Sequence, residues 1–312
     1  MSTPPPANLN CILLNACGAA YGIAPGTCTY TAKPQYSPNV PYTQDPQTAC
    51  GGEGLINAAT VGQCPFGIVA AFRGTLPPSL NDPDSWLDWL QNFFAVPTSS
   101  PSGPNKVPGQ VHSGFFNATT SIIQKVHTLV SGFNPGPDNP VFVTGHSKGG
   151  AMASIGAYIL SQNLGVPNVQ PLVTFASARP GDVGFKTGFE SVLSQTRYEN
   201  FKDIVPLLPP SLDFIDGVVN HRGFELIKIT HTGRRLAHML DSARDWNYVP
   251  VGTMLFITSD FQVIDNESVA EQTLDVVEEF VEDIVQRNFS SFAKAHSLLP
   301  GDGYNSGVCG PS

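Results

Sequence analysis

The chain has 312 residues, a net charge of −9 at neutral pH and only 13% charged side chains. That balance excludes a nucleic-acid binder working by phosphate neutralisation, and it argues against a basic patch holding the chain on an anionic membrane. The length suits one large α/β domain with its own core, and no apolar run is long enough to cross a bilayer.

Met1–Pro6 (MSTPPP) lacks the basic start and apolar centre of a signal peptide, which fits either a cytoplasmic protein or a mature or engineered start. Asn8–Tyr21 carries Ile12, Leu13, Ala16 and Ala20 at helical spacing. Gly22–Gly54, rich in Pro, Gly, Thr and Tyr, reads as coil. Gly67–Gly74 (GIVAAFRG) is a continuous apolar run, a buried strand leading into a turn at Arg73-Gly74-Thr75. Pro77–Asp84 reads as a broken loop and Trp86–Phe94 (WLDWLQNFF) as a short helix. Pro97–Gly109 is linker-like, and Ala118–Leu129 is helical. Val141–Leu160 reads strand, sharp turn, helix. Val169–Ala176 is a strand, Val183–Leu193 a helix, and Thr196–Phe201 a strand closed by Lys202-Asp203-Ile204-Val205-Pro206. Glu225–Thr230 and Thr253–Val263 are predicted as strands and Leu274–Gln286 as a long acidic amphipathic helix, the rest being loop. Strands alternating with helices predict a single α/β domain over residues 1–312, with a mostly parallel central sheet and helices on both faces.

Five of the six cysteines lie early, at 11, 17, 28, 50 and 64, and Cys309 lies almost at the end. No C-x-x-C pair exists, so no zinc or redox site is expected. An even count in loop-like sequence fits disulfides and secretion, with Cys309 tied to an early partner. Sequons at Asn117, Asn266 and Asn288 are short enough to be coincidental.

The chemistry centres on Gly145-His146-Ser147-Lys148-Gly149. A serine at the tip of a strand-to-helix turn sits in a strained backbone, and glycines two residues to either side relieve the crowding. Ser147 is then held clear of the sheet at a helix N-terminus, which favours developing negative charge. A phosphate-binding loop would place the Lys before the Ser, and here it follows. A serine hydroxyl needs a histidine to take its proton and a carboxylate to orient that histidine. Asp203, closing a strand, fits the acid; Asp182 competes, and for either the bland alternative is a turn aspartate. Four histidines follow Asp203. His296 lies after the last predicted strand, where the base belongs. His238 sits in a helical patch before that strand and reads as structural, and His221 and His231 flank a predicted strand.

Six segments in order resemble the class 3 lipases, the filamentous-fungal triacylglycerol lipase type of the α/β-hydrolase fold: GIVAAFRGT at Gly67–Thr75, SWLDWL at Ser85–Leu90, VHSGFF at Val111–Phe116, VTGHSKGG at Val143–Gly150, TFASARPGDVG at Thr174–Gly184 and NFKDIVPLLP at Asn200–Pro209. The resemblance implies a carboxylic ester hydrolase with Ser147, Asp203 and His296 as its triad and an acyl-enzyme intermediate. His296 followed by Tyr304 is similar to the family's late histidine. The oxyanion donors would be the backbone N–H groups of Lys148 and Thr75, with the Thr75 hydroxyl adding a third bond. No cofactor or metal is implied. A lid is expected over about 77–94. Its Trp86, Leu87, Trp89, Leu90, Phe93 and Phe94 exceed what one helix face needs to bury, and they would cover the acyl groove until an oil–water interface draws them out. Two departures stand out. Lys148 replaces the leucine usual after the nucleophile, and the stretch between acid and histidine is long. The expected substrate is an acylglycerol; soluble or feruloyl-type aromatic esters are the alternative, and an inactive binding protein of the same fold is the rival from another class.

Overall fold

The β-branched and alanine-rich runs pack side by side because each is apolar on both faces, which only a sheet covered by helices can bury. The computed structural model describes residues 8–33, 35, 41–76, 83–265, 269–286 and 288–310. In chain order it begins with α1 (Leu9–Ala20), capped by the Asn8 side chain on Asn10 N–H, then β1 (Gln47–Gly51), β2 (Asn57–Cys64) and β3 (Gly67–Phe72). Next come α2 (Pro83–Gln91), β4 (Pro97–Ser99), β5 (Gln110–His112), α3 (Ser113–Thr120), α4 (Ile123–Gly132), β6 (Val141–His146) and α5 (Lys148–Tyr158). The second half holds β7 (Leu172–Phe175), α6 (Val183–Glu190), β8 (Gln195–Asn200), α7 (Leu212–Asn220), α8 (Arg222–Ile227), α9 (His231–Ser242), β9 (Thr253–Ile257) and β10 (Val263–Ile264). It closes with α10 (Val269–Gln286), α11 (Phe289–Ala295) and α12 (Gly303–Cys309).

Eight strands form one sheet in the order β1-β2-β3-β6-β7-β8-β9-β10. The run β3 to β9 is parallel, and the edges are antiparallel. Two cores flank the sheet. The larger, built on Phe72, Val143, Ile155, Phe185 and Phe214, lies under α3 to α10. The smaller, built on Leu13, Leu14, Tyr42, Phe175 and Tyr304, lies under α1 and α12. The disulfide Cys11–Cys309 joins those two helices, so Cys309 does find an early partner; Cys28–Cys50 is the second, and Cys17 and Cys64 are buried thiols.

Several local expectations give way to tertiary context. Glu225–Thr230 is not a strand. Its first three residues end α8, where Phe224 and Ile227 turn inward to α10 and Leu226 faces out, and Lys228–Thr230 turn into α9. His221 and His231 therefore flank helices, with His221 Nδ1 capping α8 at Gly223 N–H. The strand expected over Thr253–Val263 ends at Ile257 and resumes only at Val263. Ala118–Leu129 is two helices with a break at Ser121-Ile122, because the Ser121 hydroxyl bonds back to the Ala118 carbonyl. The supposed coil and linker contain β1 and β4. Residues 77–82 of the expected lid lie outside the described residues. Among the described residues no helix is long and apolar enough to cross a membrane.

Candidate active site

The turn from β6 to α5 sets the site. Ser147 holds φ +63° and ψ −135°, a conformation non-glycine residues avoid. The glycines that permit it have no room for a side chain: a Cβ on Gly145 would meet the Gly149 carbonyl at 2.0 Å, and one on Gly149 would meet the Phe72 carbonyl at 2.1 Å. Lys148 is the first residue of α5, so its N–H has no acceptor in the preceding turn of helix.

Asp203 and His296, 93 residues apart, meet here. His296 Nδ1 lies 2.9 Å from Asp203 Oδ2 and 3.1 Å from Oδ1. A carboxylate only accepts, so Nδ1 carries the proton and Nε2 of a neutral ring presents a lone pair. That Nε2 is buried without a partner, and so is Ser147 Oγ. Two further donors hold Asp203: Tyr304 OH at 2.7 Å to Oδ2 and Val205 N–H at 3.0 Å to Oδ1. Burial, reinforced by the Asp203 charge, raises the Tyr304 phenol well above its ordinary pKa, so it stays a donor. Asn200 completes the frame: its N–H donates to Tyr304 OH, and its side-chain amide donates to the Ala295 carbonyl, next to His296.

Behind the serine, His146 is fixed at both nitrogens. Nε2 faces the His296 carbonyl at 2.9 Å and must donate, so Nδ1 accepts from Tyr21 OH at 2.8 Å. Burial first, then the nearby His296, holds His146 well below its ordinary pKa, and it is neutral. The sequence assigns His146 no role beyond its place in the turn and does not single out Tyr21. Nothing in a pattern links two residues 125 positions apart.

The Arg73-Gly74-Thr75 turn lies against the serine, since a Cβ on Gly74 would come within 2.9 Å of Ser147 Cβ. Thr75 Oγ1 is buried and unpartnered. The Lys148 side chain turns away to Asn57 Oδ1 at 3.2 Å, and burial, with Arg73 nearby, pushes its pKa down to about 8. Asp182 is an N-cap: its carboxylate accepts from Phe185 N–H and Gln110 N–H. His238 lies on the exposed face of α9.

A cavity of about 270 Å³ opens on these groups, lined by Thr75, His146, Asp203, His296, Trp86 and Trp89 among others. Its roof is α2. Trp86 packs on Phe292 and Phe280, Trp89 stands over His296, and Leu87, Leu90 and Phe93 are buried while Phe94 is half-buried against Trp246. Ser147 itself is fully covered. A buried serine hydroxyl, an imidazole with one unpartnered nitrogen, a carboxylate on its other nitrogen and an apolar chamber are the groups that serine acyl-transfer chemistry requires. Among the described residues no cluster fit to hold a metal ion occurs.

The mostly parallel sheet, with the serine on a sharp turn from a central strand into a helix, is an α/β-hydrolase fold. Over residues 69–212 the chain matches the family described as Lipase (class 3). It is 35% identical to the lipase of Rhizomucor miehei over 150 residues, covering 46% of this chain and 38% of that protein. It is 29% identical to phospholipase A1-II 6 of Oryza sativa subsp. japonica over 177 residues, covering 46% and 40%. The chain thus spans less than half the length of the curated relatives it matches. The native propeptide complex of Rhizomucor miehei lipase superposes with a TM-score of 0.58 at 23% identity, covering 96% of this chain and 81% of that one. A crystal structure of a fungal lipase superposes at 0.60 and 19% identity, covering 96% and 97%. Those two likenesses are likenesses of fold.

Proposed function

We propose that this chain is a serine carboxylic ester hydrolase that cleaves acylglycerols through an acyl-enzyme on Ser147. The observation that carries the proposal is His296: one ring nitrogen is bound to Asp203 and the other, unpartnered, opens on an apolar chamber beside the buried Ser147. In the reaction Ser147 Oγ attacks the ester carbonyl as His296 Nε2 takes its proton. Asp203 stabilises the imidazolium, and Lys148 N–H, Thr75 N–H and the Thr75 hydroxyl receive the oxyanion. His296 then protonates the leaving alcohol, and water repeats the sequence to release the acid. Ser147 Oγ and His296 Nε2 are both unpartnered here, and the bond between them closes when substrate binds, as is common for such pairs.

Helix α2 acts as the lid, and its tryptophans and Leu87 and Leu90, with Phe93 and Phe94 just after it, become acyl-binding surface when it opens. The substrate chemistry is supported by the apolar lining and by the activities named for the relatives. An extracellular site of action is supported by the two disulfides.

The test is an organophosphonate probe followed by peptide mass spectrometry, with paired single mutants on p-nitrophenyl esters of rising acyl length. Label on Ser147, loss of several orders of magnitude in turnover for His296→Ala, and little change for His238→Ala are expected. An unlabelled Ser147, or His296→Ala retaining most of its turnover, overturns the proposal. A turnover that falls with acyl length shifts the substrate to soluble esters.

A further inference from the structure

The long stretch between Asp203 and β9 folds into three helices beside the lid, and its outer corner carries an unusual set of residues. Leu226 is 67% exposed and Ile229 is 79% exposed, the two most exposed large apolar side chains described. Around them, within Arg222–Arg235, lie Arg222, Lys228, Arg234 and Arg235 against a single acid, Glu225. Four of the chain's sixteen basic residues therefore fall in fourteen positions of a protein that is acidic overall. Lys228 pairs with Glu225 at 2.9 Å, and Arg234 donates to the Ile229 carbonyl at 2.7 Å, which ties its guanidinium to the backbone of this corner. Arg222 is exposed and makes no ion pair among the described residues. Phe224 and Ile227 are turned inward to α10, so Leu226 and Ile229 are not needed by the core.

We infer that this corner, α8 and the start of α9, docks on an anionic phospholipid surface, with Leu226 and Ile229 entering the headgroup region and the surrounding cations meeting the phosphates. The inference deepens the proposed function by naming the surface on which the hydrolase works. Charge complementarity selects the occupant. Lys228 is paired with Glu225 and Arg235 with Asp88, so the excess positive charge of the corner rests on Arg222 and Arg234. An uncharged oil surface has no use for it, whereas each basic residue near an anionic leaflet adds about fivefold to binding. The net charge of −9 does not oppose this, because at physiological salt charges are screened beyond about 8 Å and the surface feels the local patch. The corner also lies beside the lid. Arg235 Nη2 is 2.6 Å from Asp88 of α2, so docking sets the mouth of the chamber against the lipid.

The experiment is co-sedimentation of the full chain carrying Ser147→Ala, which removes lipid turnover, with vesicles of phosphatidylcholine alone or mixed with phosphatidylglycerol. Binding at least about tenfold tighter to the mixed vesicles, and weakening with added salt, is expected. Leu226→Ser with Ile229→Ser should weaken binding by about tenfold or more. Arg222→Glu with Arg234→Gln, which keeps a donor for the Ile229 carbonyl, should remove the preference for the anionic lipid. Arg244→Glu, just beyond the C-terminal end of α9, is the charge control and should leave binding unchanged, and thermal melts of all variants should match the parent. No preference for phosphatidylglycerol, equal binding to a neutral triglyceride emulsion, or corner variants that bind like the parent overturns the inference. Failure of the phosphonate label would overturn the hydrolase reading and leave the vesicle result standing, so the two are separable.

Discussion

Trp89 stands edge-on to His296, with ring centroids 5.7 Å apart and planes at 70°. One residue of α2 thus touches the proposed base while its neighbour Trp86 is packed on Phe292, in the helix that delivers that base. Helix α2, the proposed lid, and His296, the proposed base, are one packed unit in this state. On the solvent side, Asp88 is held by Arg235 of α9.

Breaking that ion pair should ease opening. An exposed pair is worth about 0.2–1 kcal/mol, so Asp88→Ala is expected to raise turnover of a soluble short-chain ester by up to about fivefold. The exchanged pair Asp88→Arg with Arg235→Asp should return it toward the parent. Turnover unchanged in Asp88→Ala would mean that the aromatic packing alone holds α2.

Tyr304→Phe removes one of the three donors on Asp203 while leaving the ring that fills the core. The hydrogen bond to a carboxylate is worth about 1.5–3 kcal/mol, so turnover is expected to fall roughly tenfold to a hundredfold, with a smaller change in KM. A changed acid limb in the pH–rate profile would separate this positioning role from simple loss of stability. Equal loss of folding and activity, with the profile unmoved, would argue for packing only.

Lys148→Leu should stabilise the protein. Burial, aided by Arg73, lowers the amine from 10.5 to about 8, so the folded state disfavours the ammonium. That cost is fully present below pH 8 and is relieved as pH rises toward 10.5. The gain of the variant is therefore expected to be about 1–2 kcal/mol at pH 7, shrinking above pH 8, in chemical denaturation. Ester turnover should persist, since the backbone N–H remains.

His112 stacks on Phe115 with centroids 3.7 Å apart and caps its N–H through Nδ1. Burial lowers its pKa from 6.5 to about 4, so the unfolded chain binds a proton in that window and the folded chain does not. Its contribution is present above pH 6.5 and is lost as pH falls through 4. His112→Asn keeps a capping oxygen without a titrating group. It should flatten the fall in stability between pH 6.5 and 4, by about 2 kcal/mol at pH 5, read by thermal unfolding. A parallel pH dependence in both proteins would place the acid sensitivity elsewhere.

The sequence by itself determined the elements whose local chemistry is self-sufficient. The turn at Ser147 is legible because only glycine fits where Gly145 and Gly149 crowd the backbone. The strands at β3 and β6 are legible because an unbroken apolar run has no solvent face. The α1 helix is legible from its spacing, and the fold class follows from the alternation of strands and helices. Tertiary structure decided what depends on distant partners. Glu225–Thr230 has strand-like residues, yet it ends a helix because Phe224 and Ile227 bury against α10. The edge strand β1 and its neighbour β2 carry weak patterns; β2 exists through pairing with β3, and β1 through pairing with β2. The frame around Asp203 and His296 joins residues as far apart as Tyr21 and Tyr304, and the acidic total hides a basic corner on α8 and α9. Periodicity reports which face of a segment is apolar. It carries no information on which other segment will cover that face, and that choice is made by the energy of the whole packed core.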